Sequence, residues 1–327
     1  MMTDKDRVFL EKFDRHLREI NGELEGSLGT RVALVEDIAQ YSLLGSGKRL
    51  RPLLFVLSSS LCGYEGKDIY HLSAIFEYIH TASLLHDDVL DNAETRRKKP
   101  SVRHVWGNSA AVLGGDFLYS RASAIAIAYA NMEVISVLNA MTTRMVEGQL
   151  LELEHTHDWH LGKDEYMEII VAKTAALMSA ACACGAIVAG SEKKVVEHLS
   201  QFGLNLGIAF QLMDDMLDYT SSEEVFGKPV GKDLREGKIT LPLIYLLSRL
   251  EKSEIEKLED LFRDEKATAE DYDRLIATVR NEGVIDRIRR EAEEYVEKGA
   301  AFLDSFPESP LKENLLGLSA YTLKRKY

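Results

Sequence analysis

Proline and glycine do not cluster anywhere in this 327-residue chain. Its 6 prolines and 22 glycines are spread out, and no low-complexity tract occurs. Stretches rich in these residues mark the linkers between domains, so their absence argues against two units joined by a hinge. Hydrophobic residues make up 46 % of the chain, which is enough for a large core. We therefore expect one domain over residues 1–327.

Cysteine is also rare, and no long hydrophobic run is present. Cys62, Cys182 and Cys184 form an odd-numbered set without the spacing of zinc ligands, and the chain opens without a signal-peptide pattern. The longest apolar stretch, 178–190, is shorter than the roughly 20 residues that a membrane-spanning helix needs. These absences predict a cytoplasmic protein without a transmembrane segment, whose amphipathic ends allow at most peripheral membrane contact.

Basic residues are in the minority. The chain has 40 Lys and Arg against 53 Asp and Glu, a net charge of −13. Such a charge disfavours non-specific binding to nucleic acid or to an anionic membrane. Any phosphate-bearing ligand must therefore be bound by a local group of cations.

Strand-like alternation of apolar and polar residues is nearly absent, and helical periodicity takes its place. Apolar residues recur at the three-and-four spacing of a helix over several long segments. These segments are residues 32–44, 52–61, 69–90, 109–130, 134–153, 163–188, 195–219, 241–250 and 272–302. The sequence therefore predicts an all-α fold.

Two Asp-Asp-x-x-Asp motifs, at 87–91 and 214–218, lie within these helical segments. The first and last aspartates of each motif share one helix face, where like charges repel unless cations offset them. Mg²⁺ is commonly held by one or two carboxylates together with substrate phosphates. The motifs therefore predict a diphosphate clamped between metal ions. The alternative, two solvated acidic surfaces, fits poorly with the apolar flanks Leu84-Leu85 and 210–213.

Three basic segments accompany the acidic motifs. They are Gly-Lys-Arg-Leu-Arg-Pro at 47–52, Arg-Arg-Lys-Lys at 96–99, and the glycine- and lysine-rich residues 227–238. The first begins a helix, where free N–H groups and arginine forks attract phosphate oxygens. The other two each follow an aspartate motif, so they can contact the same diphosphate. Taken singly, the first is equally compatible with a solvated turn, and the second with a surface loop or a localisation tag.

Three histidines, His155, His157 and His160, lie in a short polar loop and could ligate a transition metal. No cysteine lies near them, and we expect no nearby carboxylate to be ordered as a partner, so a surface loop is the better interpretation. We therefore do not expect a metal site in this loop.

The chain resembles the trans-type isoprenyl diphosphate synthases, also called polyprenyl synthetases. Besides the aspartate motifs and the basic segments, the matching residues are His-Thr-Ala-Ser-Leu-Leu-His at 80–86, Gly107-Asn108, Gly115-Asp116-Phe117-Leu118, Glu147-Gly148-Gln149, Lys173-Thr174 and Phe210-Gln211. They follow the family's order from residue 47 to residue 238. One departure is Lys98, which replaces the usual glycine after the arginine pair, and we expect it to have a modest effect on affinity or loop closure.

This resemblance implies a helical bundle around a deep central cavity, with both motifs at its mouth, and usually a homodimer. It implies Mg²⁺ as the cofactor, with about three ions per active site. The expected direct ligands are Asp87, Asp91 and Asp214. The expected supporting or water-mediated ligands are Asp88, Asp215 and Asp218.

The same resemblance implies two substrates, an allylic diphosphate and isopentenyl diphosphate. The allylic diphosphate would be bound by Arg96, Lys173, Thr174, Gln211, Lys228 and Lys238. Isopentenyl diphosphate would be bound by Lys48, Arg51, His80 and Arg97. The residues expected to act in catalysis are Asp87, Asp91, Arg96, Lys173, Asp214 and Lys228.

The implied reaction fits these residue types. Ionisation of the allylic C–O bond leaves a highly charged diphosphate, which metal ions and cationic side chains stabilise. The double bond of isopentenyl diphosphate then attacks the allylic cation, and a proton is lost. No side chain is an obvious base, and in the family the released diphosphate is thought to take that role.

The residues that precede Asp87 on its helix bear on the length of the product. Ala82 and Ser83 occupy positions where family members with short products tend to carry an aromatic floor. Their small side chains predict a medium-to-long all-trans polyprenyl chain, such as a quinone side chain. Alternatively, Ala82 is simply a small residue at a helix contact.

Three alternatives stay open. The first is a short-chain farnesyl or geranylgeranyl diphosphate synthase; separately, the growing chain could stop at a deeper floor formed by Phe76 or Ile79, or by Tyr129 or Met132 on a facing helix. A class I terpene cyclase shares the fold and the first motif, but its second metal site normally carries an Asn/Asp, Ser/Thr, Glu pattern. A catalytically silent partner subunit typically lacks aspartates that this chain keeps.

Overall fold

The computed structural model describes residues 11–44, 47–96, 99–221, 230–263 and 267–324. Its helices are α1 (Asp14–Gly26), α2 (Ala33–Leu43), α3 (Leu50–Leu61), α4 (Ile69–Leu90), α5 (Val102–Trp106), α6 (Asn108–Tyr129), α7 (Met132–Glu154), α8 (Lys163–Ile170), α9 (Ala176–Val188), α10 (Lys193–Thr220), α11 (Lys232–Arg235), α12 (Leu241–Leu247), α13 (Lys252–Phe262), α14 (Ala269–Asn281), α15 (Val284–Ala301) and α16 (Pro310–Lys324). Within these ranges the only sheet is an antiparallel hairpin of β1 (Thr95–Arg96) and β2 (Lys99–Pro100). The all-α prediction is confirmed.

The core consists of two hydrophobic clusters, and helix α10 contributes to both. Its N-terminal half places Phe202 and Leu206 in the first cluster, and its C-terminal half places Leu212 and Met216 in the second. Each such side chain contributes roughly 1.5–3 kcal/mol when fully buried. Helix α10 therefore fixes the two clusters relative to each other, and with them the second aspartate motif near its C-terminal end.

Helix α4 packs along α6 and α3 and ends at the first aspartate motif. The amide of Asp91 donates to the carbonyl of Asp87 at 2.8 Å and closes the last turn. Asn92 then leaves the helix with φ 50°. The motif is thus rigid in its backbone while its outer aspartates stand at the end of the helix.

The predicted helix 163–188 is interrupted. Residues Val171–Ala175 form a π-helical turn between α8 and α9. Two glycines on neighbouring helices leave the room for it, because a Cβ at Gly148 would lie 2.7 Å from the Cβ of Ala172, and a Cβ at Gly207 would lie 2.6 Å from the Cα of Ala175. The wider turn therefore depends on close backbone approach from α7 and α10.

The same stretch is long and apolar enough to cross a membrane. In the structure most of it is buried inside the protein. It packs against α3, α7 and α10, so its apolar side chains are core residues of the bundle.

The predicted helix 272–302 is two helices, α14 and α15. Gly283 separates them with φ 67°, a conformation that glycine adopts without strain. Helices α1, α13 and α16 were not anticipated. The first and the last of these lie where the family resemblance is weak, and α16 reaches the functional site.

Candidate active site

A cavity of about 1110 Å³ lies between α3, α4, α6, α7, α10 and α16. The predicted site residues that line it are Lys48, Arg51, His80, Ala82, Ser83, Asp87, Arg96, Lys173, Thr174, Gln211 and Asp214. Residues from both aspartate motifs and from the first two basic segments therefore face one space. Arg97 and Lys228 lie outside the described residues.

Asp87 is the carboxylate of the first motif that faces the cavity. Its Oδ2 lies 4.0 Å from Nζ of Lys173, which also pairs with Oε2 of Glu152 at 2.5 Å. Burial raises the pKa of Asp87; Lys173 opposes this, whereas the negative charges of Asp91 and Glu152 add to it. A divalent cation here would relieve the repulsion among these carboxylates.

Asp91 is paired across the site. Nζ of Lys238 lies 3.0 Å from Oδ2 of Asp91 and 3.0 Å from Oε2 of Glu236. Burial alone would lower the pKa of Lys238, but the charges of Glu152, Asp91 and Glu236 outweigh burial and raise it. One lysine therefore ties the segment after the second motif to the first motif.

Asp88 points away from this space. It is 2 % exposed, and Nε of Arg96 donates to its Oδ1 at 2.6 Å. Arg96 itself lines the cavity from the β1 strand. The geometry therefore makes Asp88 the residue that orients Arg96, and its role as a supporting metal ligand stays a prediction.

The second motif also has one aspartate that faces the cavity and one that is buried in the protein. Asp214 lines the cavity, whereas Asp215 is 2 % exposed. Asp215 accepts hydrogen bonds from the hydroxyl of Tyr166 at 2.5 Å and from Nε2 of Gln211 at 2.7 Å. The hydroxyl of Thr174 donates to Oε1 of Gln211 at 2.9 Å, so a hydrogen-bonded chain runs from buried Tyr166 to the π turn.

Asp218 is also buried, and it holds the chain that follows the motif. Its two carboxylate oxygens accept the amides of Lys232 and Asp233, each at 3.1 Å. Burial, and next the charge of Asp233, raise the pKa of Asp218 to about 7. As with Asp88 and Asp215, its role as a supporting ligand stays a prediction.

The residues expected at isopentenyl diphosphate line the cavity from a different side. Lys48 and Arg51 flank the start of α3, and His80 lies on α4. Nζ of Lys48 lies 5.3 Å from the ring centroid of Tyr321, which belongs to α16. Tyr321 was missed because nothing in its local sequence marks it as a site residue.

Other missed residues are charged or hydroxylated partners of predicted ones. Glu152 neutralises Lys173, Glu236 neutralises Lys238, and Tyr166 binds Asp215. A signal existed for Glu152, which lies one turn after Gln149 on α7 and accepts from its Nε2 at 3.2 Å.

The carboxylates suit a hard divalent cation without forming a complete cage. Among the described residues no three His, Cys, Asp or Glu side chains converge into a metal-binding group. Mg²⁺ typically takes one or two carboxylates and completes its shell with water and substrate phosphates. Asp87 and Asp214, on one cavity, fit this requirement.

The three loop histidines have separate partners. Nδ1 of His155 lies 2.8 Å from Oδ2 of Asp158, and Nε2 of His160 lies 3.6 Å from Glu259. The amide of His157 donates to the carbonyl of Gly237 at 2.7 Å. The loop therefore supports the segment that carries Lys238.

The structure also shows which of the residues proposed as a floor line the cavity. Ala82, only 3 % exposed, and Ile79 line it. Phe76 instead packs on Phe55, with 5.3 Å between ring centroids, and Met132 is 74 % exposed. Tyr129 is likewise absent from the lining found in the described part of the chain. Of the deeper candidates, the structure retains Ile79.

A helical bundle that gathers two aspartate motifs and two sets of cations around one cavity defines a class of protein, the prenyltransferases that act on isoprenyl diphosphates. Comparisons with known proteins agree. The Polyprenyl synthetase family model matches residues 32–279. The chain belongs to this family, and it is a prenyltransferase.

Individual relatives cover nearly the whole chain. Octaprenyl diphosphate synthase of Escherichia coli (strain K12) is 35 % identical over 94 % of this chain and 94 % of that protein. Geranylgeranyl diphosphate synthase of Methanosarcina mazei is 34 % identical, covering 91 % and 92 %. A polyprenyl synthase from Caulobacter crescentus CB15, crystallised with calcium and isoprenyl diphosphate, has a TM-score of 0.93 at 35 % identity, covering 100 % and 99 %.

Proposed function

We propose that this chain, as a single domain, catalyses the Mg²⁺-dependent head-to-tail (1'-4) condensation of an allylic diphosphate with successive isopentenyl diphosphates. The observation that carries this proposal is the meeting of Asp87 and Asp214 on a cavity that is also lined by Lys48, Arg51 and His80. One group of residues suits ionisation of a diphosphate, and the other suits a second diphosphate. Two such groups on one cavity fit a condensation.

At the allylic group, Asp87, Asp91 and Asp214 would hold Mg²⁺, which neutralises the charge that develops on the leaving diphosphate. The cations of the chain supply the rest. Lys173 and Arg96 face the cavity, and Lys238 lies beside Asp91. The bound diphosphate would compete with the carboxylates that now pair with these cations.

At the second group, Lys48, Arg51 and His80 would hold isopentenyl diphosphate, together with Arg97. Holding both substrates in one cavity converts a bimolecular step into an effectively unimolecular one. The double bond attacks C1 of the allylic cation, the new C–C bond forms, and the proton lost from the adduct passes to the released diphosphate.

We propose a medium-to-long product for the side chain of a quinone. Ala82 supports this, because it lines the cavity with a methyl group where an aromatic ring would block growth. Overall identity is less informative, since the relatives include both an octaprenyl and a geranylgeranyl diphosphate synthase.

The experiment is to incubate the purified chain with farnesyl diphosphate, excess isopentenyl diphosphate and Mg²⁺, and to separate the products by chromatography. We expect chains well beyond geranylgeranyl diphosphate. Arrest at farnesyl or geranylgeranyl diphosphate would leave a short-chain synthase. Failure to consume isopentenyl diphosphate would leave a silent partner subunit.

We further propose a cytoplasmic homodimer that makes at most peripheral membrane contact. Large apolar side chains that do not line the cavity are exposed on α6 and α7, with Leu113 and Ile127 on α6 each 64 % exposed and Met132 and Leu153 on α7 74 % and 60 % exposed. Such a face on a single chain marks an interface, and a second copy would cover it. Sedimentation equilibrium tests this, and a monomer at micromolar concentration would contradict it.

A further inference from the structure

Arg49 is set apart from its two basic neighbours in the first basic segment. It adopts the left-handed conformation, with φ 51° and ψ 33°, immediately before α3. This conformation is unfavourable for a residue with a Cβ, so other contacts must hold it. All three cations border the cavity, but Arg49 is only 4 % exposed, whereas Lys48 and Arg51 are partly accessible.

The guanidinium of Arg49 is bound from three directions. Nη1 lies 2.7 Å from Oε1 of Glu77, and Nε donates to Oδ1 of Asn21 at 2.9 Å. Nη2 donates to the carbonyl of Leu43. The arginine therefore joins α1, the end of α2 and the middle of α4. Both side chains of the Arg49–Glu77 pair are 4 % exposed, so the pair is shielded from solvent.

Glu77 belongs to the functional face of α4. His80, Leu84, Asp87 and Asp91 follow it at intervals of three and four residues, which places all five on one side of the helix. The helical rise puts Asp87 about 15 Å along the axis from Glu77. A residue bound to Glu77 is therefore held at a fixed distance, along the axis of α4, from the first aspartate motif.

We propose that Arg49 and Glu77 are positioning residues that set the separation between the two diphosphate-binding groups. The buried pair fixes the start of α3 against α4 and so fixes Lys48 and Arg51 relative to Asp87. This inference rests on the proposed function. The pairs Lys173–Glu152 and Lys238–Asp91 differ from it, because they stand at the diphosphate site and are each 16 to 24 % exposed.

The principal test is Glu77→Gln, which keeps the shape of the side chain and removes its charge. We expect kcat/KM for isopentenyl diphosphate to fall about 10- to 100-fold, because a displacement of the binding group by a fraction of an ångström to 1 Å costs that much. The loss should appear mainly in the KM for isopentenyl diphosphate. The KM for the allylic substrate should change less than about twofold, since its binding residues do not contact Glu77.

A matched control is Glu256→Gln, which removes the exposed partner of Lys252 at 3.8 Å and should leave both KM values unchanged. Arg49→Lys keeps the positive charge but loses the branched guanidinium group. It should therefore raise the KM for isopentenyl diphosphate to a level between those of the wild type and Glu77→Gln. Equal changes in both KM values, or none in a folded Glu77→Gln protein, would overturn the inference.

The double variant Arg49→Met/Glu77→Met separates positioning from stability. Replacing both members of a buried ion pair by apolar residues often restores stability. If the pair positions the binding group, KM for isopentenyl diphosphate stays raised in this folded variant. A return to the wild-type KM would show a purely structural role. A wild-type chain that does not consume isopentenyl diphosphate would instead refute the proposed function.

Discussion

The two aspartate motifs have the same pattern but different surroundings. The first ends a helix, and two of its aspartates, Asp87 and Asp91, stand beside lysines that are partly accessible. The second lies within α10, and two of its aspartates, Asp215 and Asp218, are buried acceptors of hydrogen bonds from the protein. Two motifs with the same aspartate pattern therefore act differently, because the surroundings of each carboxylate decide whether it can release its present partner for a ligand.

The largest expected effect comes from an aspartate that faces the cavity. Asp87→Asn should lower kcat by about 100- to 1000-fold, the usual cost of losing one group that stabilises developing charge. Steady-state kinetics with saturating Mg²⁺ measures it. Asp273→Asn, which changes an exposed partner of Arg235, is the control and should leave kcat unaltered. Equal losses in both variants would mean that the assay reports general damage.

The second prediction compares the helices that carry the motifs. Phe210 lines the cavity one turn before Asp214, whereas Ala82 leaves the corresponding region of α4 open. Ala82→Phe should therefore shorten the product by several isoprene units, as measured by chromatography. Ala301→Phe, on the exposed side of α15, should leave the distribution as it is. An unchanged distribution in Ala82→Phe would remove Ala82 from the path of the growing chain.

Stabilisation by Mg²⁺ and diphosphate should distinguish an aspartate that binds the metal ion from one that only binds other side chains of the protein. Mg²⁺ with inorganic diphosphate should stabilise the wild-type protein by about 2.7 kcal/mol at a hundredfold excess over Kd. Asp214→Asn should abolish most of this gain, which thermal unfolding with and without the ligands would show. Tyr166→Phe, which removes a hydrogen bond to Asp215 but no side chain that lines the cavity, should keep it. If both variants lost the stabilisation by Mg²⁺ and diphosphate, the distinction between Asp214 and Asp215 would be wrong.

The smallest effect should come from the hydrogen bond between Tyr166 and Asp215. Tyr166→Phe removes a hydrogen bond to a buried carboxylate, and the free energy of unfolding should fall by about 1.5–3 kcal/mol. Chemical denaturation measures it. Tyr41→Phe removes an exposed hydrogen bond to the carbonyl of Pro100 and should cost less. Equal costs would argue that Asp215 gains nothing from its burial beside Tyr166.

Sequence alone predicted the fold class and eleven of the residues that line the cavity, because helical periodicity and the clustering of charge are local properties. It did not predict the π turn, since Val171–Ala175 reads as ordinary helix and the cause lies in Gly148 and Gly207 on other helices. The break at Gly283 had a local signal, a glycine after a polar turn, that was overlooked.

The sequence also did not predict which residues pair with the charged side chains of the site. The basic segments predicted where cations lie, but not that Glu152 and Glu236 hold two of them in place. Likewise, the pentads could not show which aspartates turn inward, because that depends on the neighbours Arg96 and Tyr166. Apart from Glu236, which lies two residues before Lys238, these partners belong to other elements of the fold.

The π turn has a consequence for how this site can vary. Lys173 stands where it does because Gly148 and Gly207 each present only a hydrogen atom to the backbone beside it. A methyl group at either position would push the turn aside and displace the lysine without altering a single residue of the cavity. A comparison of cavity side chains alone would class such a variant as intact, although the lysine beside Asp87 had moved.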